Sequence, residues 1–198
     1  LDTPLLEPTL TPGFASPESV VVAGDDVFVS NVGVKLEPME KDGDGFISRL
    51  DRQGNIRSLR WADKLNAPKG MIAVDGVLYV ADIDRVVGIR VSDGRPVFEL
   101  DMAATGARFL NAFTRIDNRR LLVSATDIGK VFIVDLRARK FSELAFDTPP
   151  KGPNGMKKAG NQLVIVEWGT DGQANGGVKT YKLDGSNARL DKQYTPSP

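Results

Sequence analysis

Four polar residues stand at one recurring place in this chain. Glu18, Lys69, Asn111 and Asn154 each open an apolar run, at intervals of 51, 42 and 43 residues. Brought together, one carboxylate, one ammonium and two amides could hold a hard cation through oxygen or hydrogen-bond a small polar ligand. The chain has no His and no Cys. Imidazole bases, Ser-His-Asp chemistry, thiolate nucleophiles and thiolate zinc sites are therefore excluded. Each anchor also has a plainer reading. Glu18 is either a solvated strand end or a ligand facing a pore. Lys69 could hold an anion, pair with Glu18, or sit exposed. Asn154 lies in an Asn-Gly pair that is also a common turn.

The runs behind these anchors have the period of strands, not helices. Residues 71–74 and 77–81 are β-branched and aromatic, joined by the hairpin dipeptide Asp75-Gly76. Similar units run over 16–33, 107–129 and 152–169, each holding a strand of the type VFVS, LYVA, LLVS or LVIV. A later strand in each unit ends near an aspartate, as in ISRLD and KTYKLD. A repeat of roughly 40–50 residues with four short strands is the signature of a β-propeller blade. The WD and kelch signatures are absent. The expected division is a leader over 1–13 and a propeller over 14–198, with blades near 14–64, 65–106, 107–150 and 151–194.

The longer first interval reflects an insertion between Asn31 and Asp51. Its segment from Glu40 to Asp51 can be laid on an EF-hand loop, but position 12 is Asp51 rather than Glu. The reading favours Asp-Gly turns followed by a strand over 46–50. Trp61 is expected to pack between blades, and Arg119-Arg120 to form a solvated tip.

Composition bounds the partners. With 26 basic and 26 acidic residues the formal net charge is zero, which argues against nucleic acid or an anionic membrane held by bulk electrostatics. No apolar run approaches the roughly 18 residues of a membrane span. The chain does not begin with Met. Removal of an upstream segment is expected, and with it a periplasmic or secreted protein; the alternative is cytoplasmic.

The segments LNAPKGM, LYVADIDRV and PNGM with VEWG, together with residues 31–51, resemble the regucalcin/gluconolactonase superfamily of six-bladed propellers, related to strictosidine synthase-like proteins. The resemblance implies an all-β fold with four blades of a six-bladed ring. It implies a divalent cation, calcium above all, at the mouth of the channel, held by Glu18 and Asn154. It implies substrate contacts from Asn111 and Arg108, to which the anchor position adds Lys69 as a candidate. The activity implied is metal-dependent hydrolysis of sugar lactones or related esters. Two departures oppose it: Ala112 replaces the family's aspartate, and a third metal ligand would fall beyond Pro198. The alternative is a non-catalytic propeller binding a small molecule or a protein at the channel mouth. Four blades of six would expose two faces, built by residues 19–31 and 161–183. The chain is expected to cover them with a second copy or with further C-terminal blades.

Overall fold

The computed structural model describes residues 11–169, 173 and 175–195. Seventeen strands and a single 3-10 turn, Ala103–Thr105, make up the regular structure among them. The first sheet comprises β1 (Pro17–Ala23), β2 (Asp26–Asn31), β3 (Gly45–Asp51) and β4 (Ile56–Leu65). The second comprises β5 (Pro68–Val74), β6 (Val77–Asp82), β7 (Arg85–Arg90) and β8 (Pro96–Asp101). The third comprises β9 (Leu110–Arg115), β10 (Arg120–Ala125), β11 (Lys130–Asp135) and β12 (Lys140–Glu143). The fourth sheet comprises β14 (Pro153–Ala159), β15 (Gln162–Glu167), β16 (Val178–Asp184) and β17 (Asn187–Tyr194), and a two-residue strand, β13 (Ala145–Phe146), pairs in parallel with its outer strand β17.

Local chemistry explains the hairpins. Asp75 and Gly76 both have positive φ, at 49° and 77°, as a two-residue turn matched to strand twist requires. The central strands of sheets two and three are apolar on both sides because those sheets are covered on two faces. In β10, Leu121 and Val123 turn to the seam with sheet two, and Leu122 turns to the seam with sheet four.

Three apolar seams hold the sheets together. Phe28 and Ile47 meet Met71, Leu78 and Val80 between sheets one and two, where Trp61 stacks 4.6 Å from Phe28. Tyr79 and Phe98 meet Leu110 and Phe113 between sheets two and three. Leu122 and Ile133 meet Leu163, Ile165 and Tyr181 between sheets three and four. The innermost strands follow in order: β1 packs on β5, β5 on β9, and β9 on β14. No comparable packing joins β1 to β14 among the described residues. The four sheets therefore form an arc.

One expectation changes here. The boundary near residue 150 is wrong by one small strand, because β13 belongs to sheet four. Leu144 and Phe146 turn into that sheet's core, and the Ala145 N–H donates to the Ser186 carbonyl. The leader over 1–13 falls largely outside the described residues; of it, Thr11 donates through its hydroxyl to the Gly54 carbonyl. The 40–51 segment is a loop followed by β3, with no flanking helix among the described residues. Its aspartates serve their own loop: the Asp44 carboxylate accepts from the Val34 N–H at 2.9 Å, and that of Asp51 accepts from Gln53 and Asn55. A side chain at Gly33 would meet the Asp44 carboxylate at 1.9 Å, so glycine is required for the closure.

Candidate functional site

Each anchor is the second residue of an innermost strand: Glu18 in β1, Lys69 in β5, Asn111 in β9 and Asn154 in β14. The pairing registers explain why these positions are special. Pro17 pairs with Asn31 and Ser19 with Ser30, so Glu18 is skipped. Pro68 pairs with Asp82 and Met71 with Val80; Leu110 with Ala125 and Phe113 with Val123; Pro153 with Glu167 and Met156 with Ile165. Every innermost strand thus carries one extra residue at its start. Such a bulge frees the anchor from the ladder and re-aims its side chain.

The anchors share one rim of the arc, at the starts of its four innermost strands. A side chain at Gly70 would lie 2.1 Å from the Asn111 carbonyl and 2.9 Å from the Ala112 Cα, so β5 and β9 touch backbone to backbone there. The Ser124 hydroxyl donates to the Asn154 carbonyl at 2.9 Å and accepts from the Ala112 N–H, tying β14 to β9.

Lys69 is neither the exposed residue nor the ion-pair partner of Glu18 that two of its readings allowed. It is only 1% exposed, and its ammonium does not pair with Glu18. Lys69 Nζ donates to the Pro38 carbonyl at 2.6 Å and to the Ala67 carbonyl at 3.0 Å, and lies 4.4 Å from the centre of the Phe109 ring. Burial lowers its pKa to about 8, against the opposing pull of Asp82, Glu18 and Asp127. Glu18 keeps its solvent contact, yet the surrounding protein raises its pKa, with Lys69 opposing. Arg108 is exposed; its backbone N–H donates to Asp127 and its guanidinium only weakly reaches the Met39 carbonyl, at 3.4 Å. Asn111 is buried and Asn154 half-buried, and neither amide has a hydrogen-bond partner among the described residues.

The insertion over residues 33–44 crosses this end as a strap. Its Pro38 carbonyl rests on Lys69, its Lys41 pairs with Asp84, and its Met39 reaches the far side. There a cleft of about 800 Å³ opens between sheets three and four, walled by Met39, Phe109, Ile128, Pro150 and Trp168, with Asn154 on its floor. Trp168 is 52% exposed. Of the five predicted site residues, only Asn154 lines this cleft. A second hollow, about 520 Å³, sits at the opposite tip of sheet three around Asp117 and Arg120, whose charges are already paired at 2.7 Å.

Sequence reading missed the side chains that hold the loops leading into the inner strands. Asn31 accepts from the Ala15 N–H, Asp82 from those of Asn66 and Ala67, Asp127 from that of Arg108, and Glu167 from that of Lys151. Each stands at or just past the end of the second strand of its sheet. A polar residue closing every VFVS-type run was the available signal. Glu167 also pairs with Lys179 at 2.9 Å, both nearly sealed from solvent, and Lys179 donates to the Pro149 carbonyl. This buried pair fixes the 149–152 loop that walls the cleft.

No protein-family model matches the chain, and no curated protein matches it. Solved structures do. Virginiamycin B lyase from Staphylococcus aureus superposes with a TM-score of 0.66 at 18% identity, covering 96% of this chain and 59% of that one. A streptogramin B lyase gives 0.66 at 16%, covering 98% and 58%. This protein is a β-propeller. A nidogen/laminin complex also matches, with a TM-score of 0.57 at 19% identity over 75% of this propeller and 58% of that chain. The chain spans under three-fifths of the length of these neighbours. At such identities the likeness establishes the fold, and the regucalcin branch is not among these neighbours. No helix among the described residues is long and apolar enough to cross a membrane.

A divalent cation fits the described donors poorly. Glu18 and Asn154 stand on the first and fourth of the innermost strands, with β5 and β9 between them. The nearby carboxylates of Asp82 and Glu167 are occupied by backbone N–H groups and by Arg85 and Lys179. No cluster of three or more acidic ligands exists among the described residues.

Proposed function

We propose that this propeller binds a small, largely apolar molecule in the cleft between sheets three and four, without catalysing its conversion. The observation that carries the reading is the cleft itself: an exposed indole at Trp168, apolar walls at Met39 and Ile128, and one free amide at Asn154. That is the composition of a ligand pocket, apolar surface for affinity and a few polar groups for orientation. Trp168 offers a flat face for a ring. Asn154 can donate to a carbonyl or accept from a hydroxyl.

The rival reading is a divalent-metal-dependent hydrolase of sugar lactones or related esters, in a six-bladed ring. Glu18 supports it, as a carboxylate at the mouth with no ion pair among the described residues. In that case Glu18 and Asn154 would hold the cation, and Asn111 and Arg108 would orient substrate. A bound cation would polarise the lactone carbonyl.

One titration separates the two. Trp168 and Trp61 are the only tryptophans in the chain, and Trp61 lies in a seam. Fluorescence is followed with a panel of sugar lactones, aryl esters and virginiamycin B, the last because one structural neighbour is a virginiamycin B lyase. Metal-independent quenching, lost in Trp168→Phe and weakened in Asn154→Ala, is expected. Calcium-dependent turnover abolished by Glu18→Ala would overturn the binding reading in favour of the hydrolase.

A further inference from the structure

We infer that the ligand of the cleft between sheets three and four is an organic anion: an aromatic ring bearing one carboxylate, which Lys151 and Arg108 meet at the rim. The inference rests on the binding reading proposed for this cleft and deepens it by naming the ligand's class. The cleft lies between two sheets that already pack on each other through Leu122, Ile133, Leu163 and Tyr181.

The walls set the body of the ligand. Met39, Phe109, Ile128 and Pro150 offer no side-chain hydrogen bond, and the half-exposed indole of Trp168 presents a flat face. A ring covers such a face with little conformational freedom to lose.

The polar groups decide the charge, because they are unequally occupied. The acceptors are largely taken. The Asp127 carboxylate, the one carboxylate lining the cleft, accepts the Arg108 N–H at 2.7 Å. The Glu167 carboxylate accepts the Lys151 N–H at 2.7 Å and pairs with Lys179. The Asn154 carbonyl accepts the Ser124 hydroxyl, and the Pro153 carbonyl that of Thr126. The cationic donors are not matched in this way. The ammonium of Lys151, which lines the cleft, is exposed and has no ion pair among the described residues. The Arg108 guanidinium reaches only the Met39 carbonyl, at 3.4 Å. Behind the wall, the buried Lys69 ammonium stands 4.4 Å from the centre of the Phe109 ring and adds positive potential on the same side. Glu40, next to Met39 on the strap, is exposed to solvent.

A neutral ligand would leave Lys151 and Arg108 to water. A cation would meet their like charge, with Asp127 alone to answer it. A carboxylate gains charge-assisted hydrogen bonds from both, and at an open rim it sheds only part of its hydration. The Asn154 amide donates to charged and neutral oxygens alike, so it orients the ligand without choosing its charge.

The test follows Trp168 fluorescence of the whole chain at pH 7 and low salt, with Trp168→Phe as the blank. The probes share one ring and one chain length: 3-phenylpropanoate, its amide, and 3-phenylpropylamine. The acid is expected to bind about fivefold tighter than the amide, and the amine weakest. High salt should erode the acid's advantage. Lys151→Glu should reverse the order of acid and amine, and Arg108→Gln should remove part of the acid's preference. Both residues are exposed, and circular dichroism checks that each variant is folded; if Lys151→Glu is not, Arg108→Gln carries the same comparison. Equal affinity for acid and amide, or preference for the amine, would overturn the inference and leave the binding reading standing. No response to any of the probes would overturn both.

Discussion

The two halves of the channel mouth are built on the same bulged strand start and end up opposite in character. On the side of sheets one and two, the strap lies over the anchor, Lys69 is sealed, and its ammonium is spent on two carbonyls and a ring. On the side of sheets three and four the anchor Asn154 is free, and beside it Trp168 faces solvent. One half is architecture and the other is receptive. The difference comes from what surrounds the bulge: the 33–44 insertion on one side, the 149–152 loop held back by Lys179 and Glu167 on the other.

Changes in the sealed half should unfold the protein, and changes in the open half should not. The largest effect is expected at Asp82. Its side chain is fully buried, accepts from two backbone N–H groups and pairs with Arg85 at 2.7 Å. Asp82→Ala should destabilise by about 3 kcal/mol in urea unfolding, since it leaves these groups unpaired. The corresponding Asp127 is exposed and accepts one N–H, so Asp127→Ala should stay near or below about 1 kcal/mol. Equal losses at the two positions would break the comparison.

Gly70→Val comes next. Its new carbons would meet the Asn111 backbone, which cannot yield as a side chain can. Overpacking of this kind costs about 1–3 kcal/mol or more, and the same measurement should find it at the upper end of that range.

Lys69→Met tests the strap. Losing the ammonium leaves the Pro38 and Ala67 carbonyls short of a donor, at about 1–3 kcal/mol. Hydrogen exchange at residues 34–40 should accelerate. The pH dependence has a definite sign. The folded Lys69 pKa, about 8, lies below its ordinary value of 10.5, so between those limits the unfolded chain binds more protons. Stability should rise as pH goes from 8 toward 10.5, by at most about 1.4 kcal/mol per unit from this group. It should fall as pH drops back through 8. The variant should lack that slope.

The smallest structural effect is expected at Trp168. Trp168→Ala should change stability by no more than about 0.5 kcal/mol while weakening ligand binding at least tenfold. A large loss of stability would make Trp168 part of the architecture and dissolve the contrast.

Strand periodicity and the Asp-Gly turns were legible because they are local. The 18, 69, 111 and 154 register was legible because the fold repeats. What escaped is what depends on neighbours in space. Lys69 stays open between an exposed and a ligand-holding residue until Pro38, some thirty positions earlier, is found lying across it. The cleft draws on Met39, Phe109 and Trp168 from loops beside three different sheets, and no spacing in the chain announces that they meet. The bulges themselves leave no mark in composition, because an extra residue in one strand is defined only by its partner strand.

Those bulges carry a consequence for anyone wishing to re-purpose the molecule. A residue that lies outside the ladder contributes little to the pairing that builds its sheet, so its identity is nearly free to vary. Glu, Lys, Asn and Asn already occupy four equivalent sockets without disturbing the strands behind them. The socket in β14, with no strap above it, should accept almost any polar or aromatic graft. New recognition could then be written there one side chain at a time, with no repacking of the seams.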